Sequence, residues 1–118
     1  MGASGSKPHF VHATNDYELA IKSSKELEHL LEHEFKASGK GLHEKISSAS
    51  PHIPSKDLIK HMRYLATIRN KLVHERGFDA IPNRKIFIRN FENSVQELTQ
   101  IVAHRHGSSG KQTACIIS

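Results

Sequence analysis

The sequence predicts an all-α protein, an antiparallel helical bundle of three long helices and one short helix. Apolar residues recur at spacings of three and four along three long segments, which is the period of an amphipathic helix. The alternation typical of strands and the turn signals of hairpins are missing from the sequence. Glycines and prolines fall between those segments rather than inside them. A chain of 118 residues is one domain.

The first helix is expected to begin at Asp16, capped by Asn15 or Thr14, and to end near Ser38, where glycines follow. Its apolar stripe consists of Leu19, Ala20, Leu27, Leu30, Leu31 and Phe35. A short helix is expected over about 42–47. The prolines of the following SSASPHIPS segment predict a loop.

Ser55 is a good cap for the third helix, which is expected to end at about Glu75 because Gly77 closes it. Its apolar stripe is Leu58, Met62, Leu65 and Leu72, with Ile59, Ala66 and Val73 beside it. Asn83 caps a fourth helix of about 20 residues. The buried face of that helix is expected to hold Ile86 or Phe87, then Phe91, Val95, Leu98, Ile101 and Val102.

Composition and charge narrow the class of protein. No apolar run approaches the roughly 18 residues that a membrane-spanning helix needs. The single cysteine excludes an internal disulfide. The net charge is +5, and residues 56–91 alone hold nine basic and three acidic residues, a net charge of +6. Such a region attracts polyanions such as nucleic acid, although a solvated basic face has the same composition.

The third helix carries an arginine where its apolar stripe should continue. Position 69 completes the spacing of Leu58, Met62, Leu65 and Leu72, and it is Arg69. An unpaired guanidinium is costly to bury, so it needs a partner or an opening. Asn70 and His74 are neighbours on the helix, whereas Arg69 and His74 lie about 140° apart and flank one edge. An anion across that edge would meet a fork of donors, an amide and an imidazole that can move a proton near neutral pH.

The segment Arg69-Asn70-x-x-x-His74 resembles the R-x(4–6)-H motif of HEPN domains, with the polar residue that usually follows the arginine. The surroundings are similar too: a leading helix ELEHLLEHEF, a glycine break before GLHEKI, and the motif near the end of a long helix, before HERGF. The resemblance covers roughly residues 16–104 and is greatest to small stand-alone prokaryotic members. It implies a homodimer with both motifs in one cleft. Many members are metal-independent endoribonucleases, others bind RNA or nucleotides without cleavage, and some are dimerisation modules.

On this sequence, the resemblance implies that His74 is the general base or acid for attack of a ribose 2′-OH on the adjacent phosphate. Arg69 would stabilise the charge on the phosphoryl oxygens, and Asn70 would orient the phosphate or His74. No cofactor or metal is expected. The RNA backbone would be held by the basic residues Lys56, Lys60, Arg63, Lys71, Arg84, Lys85 and Arg89.

Two alternatives stay open at this point. The chain would instead be a non-catalytic dimerisation or interaction module, tethered to a membrane through its C-terminus. In the other alternative, Arg69 and His74 pair inside the bundle with Glu75 or with a carboxylate of the first helix. Either one would leave the basic region without a catalytic role.

His29-x-x-Glu32-His33 matches the H-x-x-E-H zinc-peptidase pattern, because both histidines share one helix face. No third ligand is evident, and the apolar stripe leaves both histidines toward solvent. A solvated helix face is therefore the favoured interpretation.

Both ends carry lipidation patterns. Residues 1–14 and 106–118 are expected to be flexible tails around a bundle of residues 15–105. The chain ends in Cys115-Ile116-Ile117-Ser118, a C-a-a-X pattern for farnesylation, and its MGASGSK start fits myristoylation of Gly2. We therefore expect a cytoplasmic protein that becomes membrane-associated if Cys115 is prenylated.

Overall fold

The computed structural model describes residues 15–109, with side chains described as far as Arg105. It confirms the all-α bundle, with no strand within residues 15–109. The elements are α1 (Asp16–Phe35), α2 (Leu42–Ala49), a 3-10 turn (Ser50–His52), α3 (Lys56–His74) and α4 (Arg84–Ser109). None of the helices among these residues has an apolar stretch long enough to cross a membrane. Residues 1–14 and the lipidation positions Gly2 and Cys115 lie outside the described residues.

Contacts at both ends fix the directions of the long helices. At the start of α1, the Asp16 carboxylate forms an ion pair with Arg84, the first residue of α4. At the other end, Arg105 of α4 donates a hydrogen bond of 2.7 Å to the carbonyl oxygen of Glu34. Helices α1 and α4 therefore run in the same direction, and α3 runs between them in the opposite direction.

The three predicted helix caps are confirmed. The side-chain oxygens of Asn15, Ser55 and Asn83 each accept a hydrogen bond of 3.1 Å from the backbone N–H three residues further on. Each cap satisfies one of the N–H groups that a helix start leaves without a partner. The local signals in the sequence were sufficient to place these helix starts.

Helix α1 ends at Phe35 rather than near Ser38. Lys36 adopts the left-handed conformation, with φ 56°, and the carbonyl oxygen of Leu31 accepts the N–H of Ala37 at 3.1 Å. This closure does not need a glycine, because the buried Ala37 packs back against the core beside it. Gly39 therefore does not mark the end of α1, which lies four residues before it.

The other two boundaries that differ lie at C-terminal ends. Helix α2 continues past the expected Ser47 to Ala49, which is fully buried, so the predicted loop begins later, with a 3-10 turn. Helix α4 has 26 residues and ends at Ser109, so residues 106–109, expected to belong to the tail, are helical. The Gly107-Ser108-Ser109 segment has low helix propensity, but no proline stops the helix there.

The core lies between α1, α3 and α4, and α2 closes one side. Most of the predicted apolar stripe residues are buried, including Leu27, Leu58 and Leu98, each with no exposed surface. One expectation was wrong, because Val73 is 46% exposed next to the end of α3. Of the two residues offered for the start of the buried face of α4, Phe87 takes the buried position and Ile86 is 41% exposed.

Candidate functional site

Arg69 lies beside a cavity of about 270 Å³ between α1, α3 and the start of α2. The position of this residue in the apolar stripe turns it toward α1, and the cavity leaves it half-buried. The other polar lining residues are Ser24, Lys25 and Glu28 of α1, Lys40 and Gly41 before α2, and Asn70. The opening that an arginine at this position requires is therefore present.

The guanidinium of Arg69 donates a hydrogen bond of 3.1 Å to the side-chain oxygen of Asn70. Because that oxygen accepts, the amide NH₂ group of Asn70 is left to donate elsewhere. The ion pairs among the described residues do not include Arg69, so the predicted alternative of a carboxylate partner is not observed there. The pair thus offers several free donors and little acceptor capacity.

Glu28, the acidic residue of the cavity lining, is occupied by Lys45. The side chain of Lys45 is only 5% exposed, and its ammonium lies 3.1 Å from both Glu28 and Glu32. Burial alone would lower the pKa of Lys45, but the hydrogen bonds and charges of Glu28 and Glu32 raise it. Lys45 is shared between Glu28 and Glu32, but the three cations Lys25, Lys40 and Arg69 outnumber the one carboxylate of the lining and leave the cavity positive.

The cavity also contains donors without partners. The Ser24 hydroxyl oxygen is buried and has no hydrogen-bond partner among the described residues. Gly41, the N-cap of α2, provides no side chain to accept from the first N–H groups of that helix. The loop before it is held by Glu44, whose carboxylate accepts the Lys40 N–H at 2.9 Å. Gly39 is required in this loop, because its φ is 134° and a Cβ would collide with Glu44.

His74 lies apart from the cavity. It is the last residue of α3, it is exposed, and it is not one of the lining residues. Around the axis of α3, Asn70 lies between Arg69 and His74, about 100° from Arg69 and about 40° from His74. A single chain therefore brings Arg69 and Asn70 into one cavity and leaves His74 beyond its edge.

Four of the predicted RNA-binding residues are exposed cations. Lys56 and Lys60 share the outer face of α3 with His74, since their positions fall within about 40° of one another around the helix axis. Lys85 and Arg89 are exposed on α4. These side chains are available for phosphate contacts.

The other three predicted RNA-binding residues have partners within the chain. Arg63 donates to the Ser47 hydroxyl at 2.8 Å, and Lys71 lies 5.5 Å from the centre of the Phe78 ring. Arg84 is paired with Asp16, as described above. These contacts give the three residues structural roles.

A polar contact that the sequence did not predict joins α2 to α3. The Nδ1 of His43 lies 3.3 Å from the Arg63 guanidinium and its Nε2 lies 3.3 Å from the Thr67 hydroxyl. Because a guanidinium only donates, Nδ1 accepts and the ring proton is on Nε2. Burial, followed by the charge of Arg63, lowers the pKa of His43. His43 is therefore a neutral bridge between the two helices.

The histidine pair of α1 agrees with the sequence interpretation. His29 and His33 are both exposed, with ring centres 4.1 Å apart. Among the described residues, no group of three or more His, Cys, Asp or Glu side chains is placed to hold a metal ion. The two rings are part of a solvated helix face.

Two serines in the apolar stripe of α1 could have predicted the cavity from the sequence. Ser23 and Ser24 occupy positions in the apolar stripe of α1 between Ala20 and Leu27, and both are buried. Small hydroxyl residues in such a stripe indicate a partner or an unfilled space. The contributions of Lys40 and Gly41 depend on where α2 packs, which local patterns do not specify.

Comparison with protein-family models, with curated proteins and with solved structures found no match to this chain. The fold and the cavity define a helical-bundle protein with a basic, donor-rich cavity. The function is proposed from that cavity and from the motif that contains Arg69.

Proposed function

We propose that this chain is a HEPN-like protein that acts on RNA, with Arg69 and Asn70 binding a backbone phosphate and His74 transferring the proton. The observation that carries the proposal is the Arg69–Asn70 pair, which has free donors in a positive cavity. A guanidinium fork beside an amide NH₂ group matches the oxygens of a phosphate.

The outer face of α3 supports an RNA substrate rather than a small anion. Lys56 and Lys60 follow this face from the start of the helix, and His74 lies at its end. Contacts of this kind bind the backbone irrespective of base sequence. Exposed Lys85 and Arg89 on α4 add further positive charge.

Cleavage would use the chemistry that the motif implies. His74 takes the proton of a ribose 2′-OH, whose oxygen forms a bond to phosphorus while the bond to the 5′-oxygen breaks. The departing 5′-oxygen takes up a proton from water, His74 later returns its proton to water, and a 2′,3′-cyclic phosphate remains. Arg69 stabilises the negative charge that develops on the phosphoryl oxygens.

A homodimer is part of this proposal. His74 lies outside the cavity of its own chain, so the complete cleft requires a second copy that brings the two motifs together.

The position of His74 also favours a second candidate, an RNA-binding module that does not cleave. In that case Arg69 and the basic face of α3 bind the backbone, and His74 is a surface residue at the positive-charge-favouring end of the helix.

One experiment separates these outcomes. Single-stranded RNA is incubated in chelator with the parent chain, Arg69→Ala, His74→Ala and the control His29→Ala, whose histidine is exposed on α1. We expect cyclic-phosphate products from the parent and the control, and a loss of rate of about 100-fold in the other two. Circular dichroism and solution mass should be the same for all four proteins.

Binding that depends on Arg69 but yields no products would establish the second candidate. If all four proteins treat RNA alike, both candidates are wrong.

A further inference from the structure

Two serine hydroxyls are buried without a partner, and they differ in their surroundings. Among the described residues, Ser24 is 2% exposed and Ser94 has no exposed surface, and neither hydroxyl oxygen has a hydrogen-bond partner. A buried hydroxyl without a partner costs free energy, and such groups are rare in native proteins. Ser94 is fully buried on α4, whereas Ser24 lines the cavity beside Arg69. Of the two serines, Ser24 is the one that borders space for a bound molecule.

The start of α2 also lines the cavity. Gly41 and Leu42 line the cavity there, and the helix has no side-chain cap. The first N–H groups of a helix carry partial positive charge and bind phosphate when no cap occupies them. The buried hydroxyl and this helix start are independent observations, and both require an acceptor.

The charges around the cavity define the ligand further. Lys25, Lys40 and Arg69 carry three positive charges and Glu28 carries one negative charge, so the charged residues of the lining sum to +2. A ligand with more than one negative charge matches this lining. The carboxylate of Glu44 is the other acid near the start of α2, and it is bonded to the Lys40 N–H.

We propose that this cavity is a binding site for a phosphate monoester, with the Ser24 hydroxyl, the first N–H groups of α2 and the Arg69–Asn70 pair as its ligands. A monoester carries a charge of between −1.5 and −2 at pH 7 and presents three free oxygens. A phosphodiester within a chain, such as the backbone phosphate of the proposed function, can also bind the Arg69–Asn70 pair, but it carries one negative charge and two free oxygens. The third oxygen and the larger charge of a monoester match the additional donors of Ser24 and α2.

The proposal goes beyond the proposed function, because phosphate binding here needs neither cleavage nor a second copy. A terminal phosphate of RNA, a mononucleotide and inorganic phosphate share the same chemistry. Only the RNA arm of the test rests on the proposed function.

The first arm uses inorganic phosphate alone. Calorimetric titration at fixed ionic strength compares the parent chain with Ser24→Ala and with the matched control Ser94→Ala, which removes the other unpartnered hydroxyl. We expect the parent and Ser94→Ala to bind alike and Ser24→Ala to bind about tenfold more weakly, the effect of losing one charge-assisted hydrogen bond. Both substitutions should leave the unfolding midpoint unchanged or raised, because each removes an unsatisfied polar group.

Equal affinity in Ser24→Ala and the parent would overturn the proposal, as would absence of phosphate binding by the parent.

The second arm identifies the source of the phosphate. Fluorescence anisotropy compares short RNAs bearing a 5′-phosphate, a 3′-phosphate or hydroxyl ends, with a mononucleotide as competitor. A preference of about tenfold for one phosphorylated end, lost in Ser24→Ala, would assign the site to that RNA end. If the RNA ends are not distinguished but the mononucleotide binds through Ser24, the site takes a free monoester. If RNA is neither bound nor cleaved, the proposed function is wrong. The titration with inorganic phosphate then decides by itself whether this cavity is a phosphate site.

Discussion

Lys45 and Arg69 approach α1 from neighbouring helices, and their surroundings differ in one respect. Lys45 of α2 has both of its carboxylate partners within the chain, at 3.1 Å. Among residues 15–105, Arg69 of α3 pairs with the neutral Asn70 and borders an open cavity. A buried charge with all of its partners joins helices, whereas a charge that lacks them marks a place for an anion from outside. Glu28 belongs to both regions, since it pairs with Lys45 and lines the cavity of Arg69.

Removing the two carboxylate partners of Lys45 is expected to have the largest effect on stability. The double substitution Glu28→Gln and Glu32→Gln leaves a buried ammonium without its counter-charges. We expect the free energy of unfolding in urea to fall by about 3 kcal/mol, because breaking a buried pair is strongly destabilising. Adding Lys45→Met removes the ammonium and keeps the stem, so most of the loss should be recovered.

The matched control is the exposed pair of Glu18 and Lys22 on α1, at 2.8 Å. Glu18→Gln should cost less than about 0.5 kcal/mol, as is usual for a surface pair. If the Glu28→Gln and Glu32→Gln variant loses no more free energy of unfolding than Glu18→Gln does, the two carboxylates do not stabilise the buried Lys45.

The sequence predicted more of the bundle than of the cavity. Asn15, Ser55 and Asn83 act on the next turn of their own helices, so their effects are readable locally. The place of Arg69 in the apolar stripe follows from spacing alone. Gly41 and Ser24 line one cavity only because α2 packs against α1 and α3, and packing between distant segments is not encoded in a local pattern. The same holds for the pairing of Lys45 with α1.

A second prediction concerns Arg69 itself. If its charge lacks partners in the chain, Arg69→Met should change the free energy of unfolding by no more than about 1 kcal/mol and should not lower it as the Lys45 cluster does. The same urea series measures this effect. A loss as large as that of the Glu28→Gln and Glu32→Gln variant would mean that Arg69 is a structural residue, and the contrast with Lys45 would disappear.

The substitution Gly41→Ser is expected to change stability least. It tests the difference between Lys45 and Arg69 directly, because the new hydroxyl gives the start of α2 an acceptor within the chain. Gly41 has φ −133° and ψ −178°, the extended conformation of an N-cap, and a Cβ added there would contact nothing within 4 Å. Gly41→Ser should therefore cap α2 and raise the free energy of unfolding by a few tenths of a kcal/mol.

The same cap would occupy N–H groups that a phosphate needs. We expect Gly41→Ser to bind inorganic phosphate about fivefold more weakly while the protein becomes slightly more stable. Gly41→Ala is the matched control, since it adds a Cβ without an oxygen and should leave phosphate affinity unchanged. Stability and phosphate affinity that rise together in Gly41→Ser would show that the start of α2 is not part of the site. Opposite changes are expected because a donor that is satisfied within the chain is no longer available to a ligand.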